Sequence, residues 1–112
     1  SAMEEHEIVA ALAENRLHEE VDAIEQTSAL NGIHQVLFSR ALGLGIPRAE
    51  LVRRIDDATF QVARSSMLDI NELKLMNRKT LEGYDPKLAR DVYRAQIHVM
   101  IDACAEAAAS AG

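Results

Sequence analysis

The residues in this chain with the widest chemical reach are histidines and carboxylates at helical spacing. Glu14, His18 and Asp22 recur at every fourth position, so on a helix they stack along one face. His98 and Asp102 repeat that spacing near the other end. Two or three such groups can hold a divalent ion with an open coordination position. The face carrying Glu14, His18 and Asp22 lies opposite the apolar stripe of the same segment and is densely acidic throughout, so its plainer reading is a solvated charged face. For His98 and Asp102 the plainer reading is an ordinary hydrogen-bonded pair. The lone Cys104 sits at the margin of an apolar face and reads as a buried, inert thiol. No Gly-rich phosphate loop and no Ser-His-Asp combination is present. The expectation is a protein that is not an enzyme, with no catalytic residues, no metal site and no cofactor.

The Glu-x-x-His pairs with which helical bundles hold two irons are missing, because Asn15, Asn31 and Ala95 stand three residues before His18, His34 and His98. His34, in a helical stretch of an acidic, bundle-sized chain, resembles the phosphorylated residue of histidine phosphotransfer domains. Those domains carry Lys and Gly at the third and fourth positions after the histidine, whereas Leu37 and Phe38 stand here. A phosphotransfer or metal-binding bundle is therefore one alternative function. The stretch from Leu44 to Ile55 is similar to the opening of a helix-turn-helix, but no glycine-bearing turn follows it. Lys74, Arg78, Lys79, Lys87 and Arg90 gather near a turn at Gly83 and could bind phosphates. They lack the aromatic residues that single strands stack on, and a net charge of −6 opposes nucleic acid. A nucleic-acid-associated regulator is the second alternative.

That charge is unevenly placed. Residues 1–39 hold eight acids and one base, residues 40–94 eleven bases and eight acids, and residues 95–112 two acids. Glu7, Glu14, Asp22 and Glu25 form the predicted acidic face of the first segment, suited to a basic partner. The leading expectation is a small acidic helical protein-interaction module: an adaptor, a chaperone-like factor, or a regulator or inhibitor of a larger bacterial-type complex. A single cysteine fits a reducing cytoplasm, and no apolar run reaches the length of a membrane span.

The elements that would position these residues are all helical. Hydrophobic residues make up 48% of the 112, aromatics 4%, and no period-two run of β-branched residues occurs, which predicts one all-α domain. Residues 1–3 read as a cloning scar or disordered start, and 105–112 as a frayed Ala-rich tail. Ala10, Ala13, Leu17, Val21 and Ile24 set one apolar stripe, and Ile33, Leu37, Phe38, Ala41 and Leu42 resume it after Asn31-Gly32. Either one bent helix runs from Glu4 to about Leu42, the favoured reading, or a new helix starts at Asn31. After a loop at Gly43–Ile46, Leu51, Val52, Ile55, Thr59, Val62, Ser66, Ile70 and Leu73 keep phase from Pro47 to Glu82. The pattern predicts one helix about 50 Å long, with Asp69 as an overridden cap and Gly83 as its C-cap. Phe60, Met67 and Leu75 lie off that stripe and call for a further surface. Asp85-Pro86 opens the last helix, whose face is Leu88, Val92, Ala95, Val99, Met100 and Ala103. The predicted architecture is a long antiparallel hairpin with a third helix packed on it, a three- or four-helix bundle that forms a homodimer through Phe60, Met67 and Leu75.

Overall fold

The computed structural model describes residues 3–111, and within them the chain is all-α as expected, with seven helices and no strand. In order they are α1 (Glu5–Ala13), α2 (Leu17–Asp22), α3 (Thr27–Gly43), α4 (Arg48–Ala63), α5 (Ile70–Leu75), α6 (Arg78–Tyr84) and α7 (Pro86–Ala111). The long hairpin is replaced by shorter helices around α7, which touches α2, α3, α4 and α6. The thinnest dimension, 19 Å, leaves room for about two helix layers.

The favoured single bent helix from Glu4 to about Leu42 is three helices, and neither a bend nor a new start falls at Asn31-Gly32, since both residues lie inside α3. The chain turns earlier, at Asn15, which has φ 55. Asn15 N–H donates to Leu12 O at 3.2 Å and Arg16 N–H to Ala11 O at 3.0 Å, the paired bonds of a Schellman ending. Asparagine tolerates the left-handed region better than most residues with a Cβ. The turn resets the helical phase. Ile8 and Ala11 are buried in α1 in place of Ala10 and Ala13, while Leu17 and Val21 are buried in α2 as expected.

The Gly43–Ile46 loop has the same ending in its glycine form. Gly45, at φ 96, donates to Leu42 O at 3.0 Å, and Ile46 N–H to Ala41 O at 3.2 Å. Pro47 then stands as the extended N-cap of α4.

The single helix predicted over 47–82 is three. After Ala63 the hydroxyls of Ser65 and Ser66 donate to Val62 O and Ala63 O at 2.8 and 2.9 Å. Asp69 accepts from Asn71 N–H at 3.0 Å, so its cap is real and starts α5. Asn77 accepts from Thr80 N–H at 2.8 Å and starts α6. Asp85 accepts from Leu88 N–H at 3.1 Å and starts α7. A short polar side chain before each segment offers the backbone an alternative to continuing the helix. The retained apolar phase has a separate cause in each piece, because Leu51, Leu73 and Leu81 are each buried. Gly83 lies within α6 and is not a left-handed cap.

The last helix starts at Pro86 as expected and continues to Ala111, through most of the predicted frayed tail. Leu88, Ala89, Val92, Tyr93, Ile97, Met100, Ile101, Ala103 and Cys104 are all buried along it. Apolar side chains around so much of a helix mean burial on several sides. The core is organised around α7. Cys104 is buried as expected, and burial pushes its thiol above the ordinary value.

Candidate functional site

Three large apolar side chains are exposed on α5, on α6 and in the link between α4 and α5. Met67 is as exposed as it would be in an extended chain (104%), Leu75 is 89% exposed and Tyr84 64%. Met67 lies between α4 and α5, where Ser66 and Asp69 hold the backbone away from helix. Beside it opens a groove of about 350 Å³ bounded by Val62, Met67, Leu68, Tyr84 and Leu88, with Asp85, Lys87 and Asp91 also lining it. The sequence called for a further surface over Phe60, Met67 and Leu75, and Met67 and Leu75 are exposed in the single chain. Phe60 is half-buried, with the Lys74 ammonium 5.2 Å from its ring centroid.

The two His-x-x-x-Asp pairs, 80 residues apart in sequence, are brought together by α2 and α7. His18 Nδ1 faces His98 Nδ1 at 2.6 Å. His18 Nε2 faces Asp102 Oδ1 at 3.0 Å, and His98 Nε2 faces Asp22 Oδ1 at 2.6 Å. The ring centroids are 4.9 Å apart with an interplanar angle of 18°. That separation matches the N···N distance plus the two ring radii, so the rings meet edge to edge. Each Nε2 faces an acceptor-only carboxylate and so carries hydrogen. The two Nδ1 atoms then face each other directly, and the four side chains join α2 to α7. Among the described residues no three or more of His, Cys, Asp and Glu form a group that could hold a metal ion.

His34 is buried (8% exposed) on α3. Its Nε2 lies 3.1 Å from Gln96 Oε1 and 2.5 Å from Arg78 Nη2. Gln96 in turn donates to Thr59 Oγ1 at 2.8 Å, and Thr59 to Ile55 O at 3.0 Å. Gln96 thus asks for a hydrogen on Nε2, and Arg78, which only donates, asks for a lone pair. A neutral imidazole can serve either. Burial first, and then the neighbouring guanidinium, hold His34 down at about 4 against an ordinary 6.5, with Gln96 opposing. Arg78 also donates to Asn31 and lies 5.3 Å from the Tyr93 ring centroid, while Tyr93 Oη donates to Arg78 O at 2.9 Å. Burial lowers the Arg78 value.

The other sequence-selected residues are dispersed. The acidic face expected on one continuous helix is divided by the breaks around α2. Glu7 accepts from Glu4 N–H in the α1 capping box. Glu14 pairs with Arg16 at 2.5 Å, Asp22 with His98, and Glu25 with Arg94 at 3.4 Å and Arg90 at 3.8 Å. Of the five basic residues, Lys74 sits over Phe60, Arg78 turns inward, Lys87 pairs with Asp91 at 3.2 Å and Arg90 with Glu25. Lys79 is exposed on α6. Sequence reasoning missed Tyr84 and the groove beside it, as well as the meeting of His18 with His98. The repeated His-x-x-x-Asp spacing was a signal for the latter.

No family model matches the chain, and no curated protein or solved structure matches it. Among the described residues no helix is long and apolar enough to cross a membrane.

Proposed function

We propose that this chain is a protein-interaction module without catalytic activity, working as an adaptor or regulator, and that the surface around its exposed Met67 pairs first with a second copy of itself. One observation carries the reading: the protruding Met67 stands beside a groove of about 350 Å³ bounded by Val62, Leu68 and Leu88. A two-fold contact needs a knob and a hole on the same surface, so that each copy fills the other. Methionine is unbranched and polarisable, which suits a knob that must fit a shallow apolar hole. Tyr84 extends the apolar area, and Asp85, Lys87 and Asp91 supply charges that can fix register. Most of the basic residues near α6 are turned to groups of this chain, which leaves the nucleic-acid reading less support.

Light scattering across micromolar concentrations tests the pairing. A mass rising towards twice the monomer's, and held at the monomer's by Met67→Glu, supports it. Monomer mass throughout contradicts it.

A further inference from the structure

A second cleft, of about 460 Å³, lies on the α3 side of the molecule, and it combines an apolar floor with two arginines. His34, Phe38 and Leu42 line it at successive helical turns of α3, and Arg48 and Arg78 line it from the first residues of α4 and α6. The His34 and Phe38 rings are nearly parallel, at 7° with centroids 6.4 Å apart. The Arg48 guanidinium lies 5.3 Å from the Phe38 ring centroid.

Several cations elsewhere in the molecule are neutralised by carboxylates, and among the described residues those of this cleft are not. Glu50 takes both Arg53 and Arg54, Glu106 takes Arg54, and Glu25 takes Arg90 and Arg94. Arg48 and Arg78 form no ion pair among the described residues, and no carboxylate lines the cleft. Arg78 is nevertheless partly withdrawn from water, which disfavours its charge. Its neighbours are neutral acceptors and a ring: Asn31 Oδ1, His34 Nε2 and Tyr93. These orient the guanidinium without neutralising it. Two of its N–H groups are occupied, and the fork still has donors free. A neutral His34 beside it adds no competing positive charge.

We propose that this cleft binds a small oxyanion carried on a flat apolar body, such as an aromatic carboxylate or phosphate ester. The oxyanion meets Arg78 and Arg48, and the body lies against Phe38 and Leu42. A planar guanidinium accommodates either kind of oxyanion through paired N–H groups. The floor supplies the contact that selects against inorganic anions. This site is separate from the Met67 edge and does not depend on how that edge is used.

The test is an NMR titration of the isotope-labelled full chain with four probes: benzoate, phenyl phosphate, benzyl alcohol and inorganic phosphate. Saturable shifts at Phe38, Arg48 and Arg78 with benzoate or phenyl phosphate are expected, and the tighter of the two identifies the oxyanion. Benzyl alcohol, which loses the charge-assisted contact, and inorganic phosphate, which loses the apolar one, should each bind about tenfold more weakly. Arg48→Gln, an exposed rim substitution, should weaken the preferred probe while leaving the spectrum folded; Arg78→Lys should weaken it further. Equal binding of benzyl alcohol would leave only an apolar patch. Equal binding of inorganic phosphate would mean an adventitious ion only. No saturable shift with either aromatic anion would also overturn the proposal.

Discussion

His18 and His98 meet edge to edge, and each turns its Nε2 to the aspartate carried by the other's helix. The arrangement ties α2 to α7 through the two Nε2–carboxylate contacts and the Nδ1–Nδ1 contact.

That clasp is exposed enough to water to be worth little by itself. His18 and His98 side chains are 36% and 28% exposed, and their aspartates about two-thirds. A double-mutant cycle of His18→Ala and His98→Ala should give a favourable coupling below about 1 kcal/mol. Added salt should reduce it. Urea unfolding of the four chains measures the coupling, and a value of zero would mean that the rings do not interact in solution.

His34 gives the fold an acid-sensitive group. The unfolded chain takes up this proton near 6.5 and the folded chain only near 4. Its contribution is therefore complete above 6.5, falls as pH drops towards 4, and changes no further below that. The integrated loss is roughly 3 kcal/mol. Urea unfolding at intervals across this range should show the slope in the natural chain and its removal in His34→Gln.

Two glycines should respond in opposite directions. Gly32 lies inside α3 with open space where a Cβ would stand. Gly32→Ala should raise stability by about 0.5–1 kcal/mol. Gly45 also has open space but holds φ 96. Gly45→Ala should lower stability by about 1 kcal/mol, because the Cβ strains that conformation. Thermal unfolding distinguishes the two, and loss of stability in Gly32→Ala would indicate a break in the helix there.

The α3–α7 packing is, together with α4–α7, the most extensive in the fold. Leu37 is fully buried on α3, and Cys104 Sγ on α7 approaches Leu37 O at 3.9 Å. Leu37→Ala should cost about 3 kcal/mol. A cost no larger than that of a surface substitution would show that these helices are not packed as described.

The all-α class was legible in the sequence because composition and apolar spacing agreed, and the last helix because Asp85-Pro86 marked its start. Helix ends were harder to place where the decisive signal was one polar side chain. Asp69 had the right chemistry for a cap, but the continued phase through Leu73 outweighed it. Asn15 gave no warning beyond its tolerance of a left-handed backbone. The sequence called for a further surface over Met67 and Leu75 because they lie off the stripe, and in the single chain no other helix covers them. Tyr84 and the groove depend on how α4 and α7 sit together, which linear spacing does not encode. The His18–His98 contact is non-local for the same reason, although both halves of it were visible.

The central claim is that Met67 of one copy enters the groove of another. A mixture of methyl-labelled and unlabelled chains at millimolar concentration tests it by isotope-filtered NOE measurement. The account predicts intermolecular cross-peaks from the Met67 methyl to Leu68 and Leu88. A sample whose Met67 cross-peaks all arise within one chain, or that has none, would contradict it.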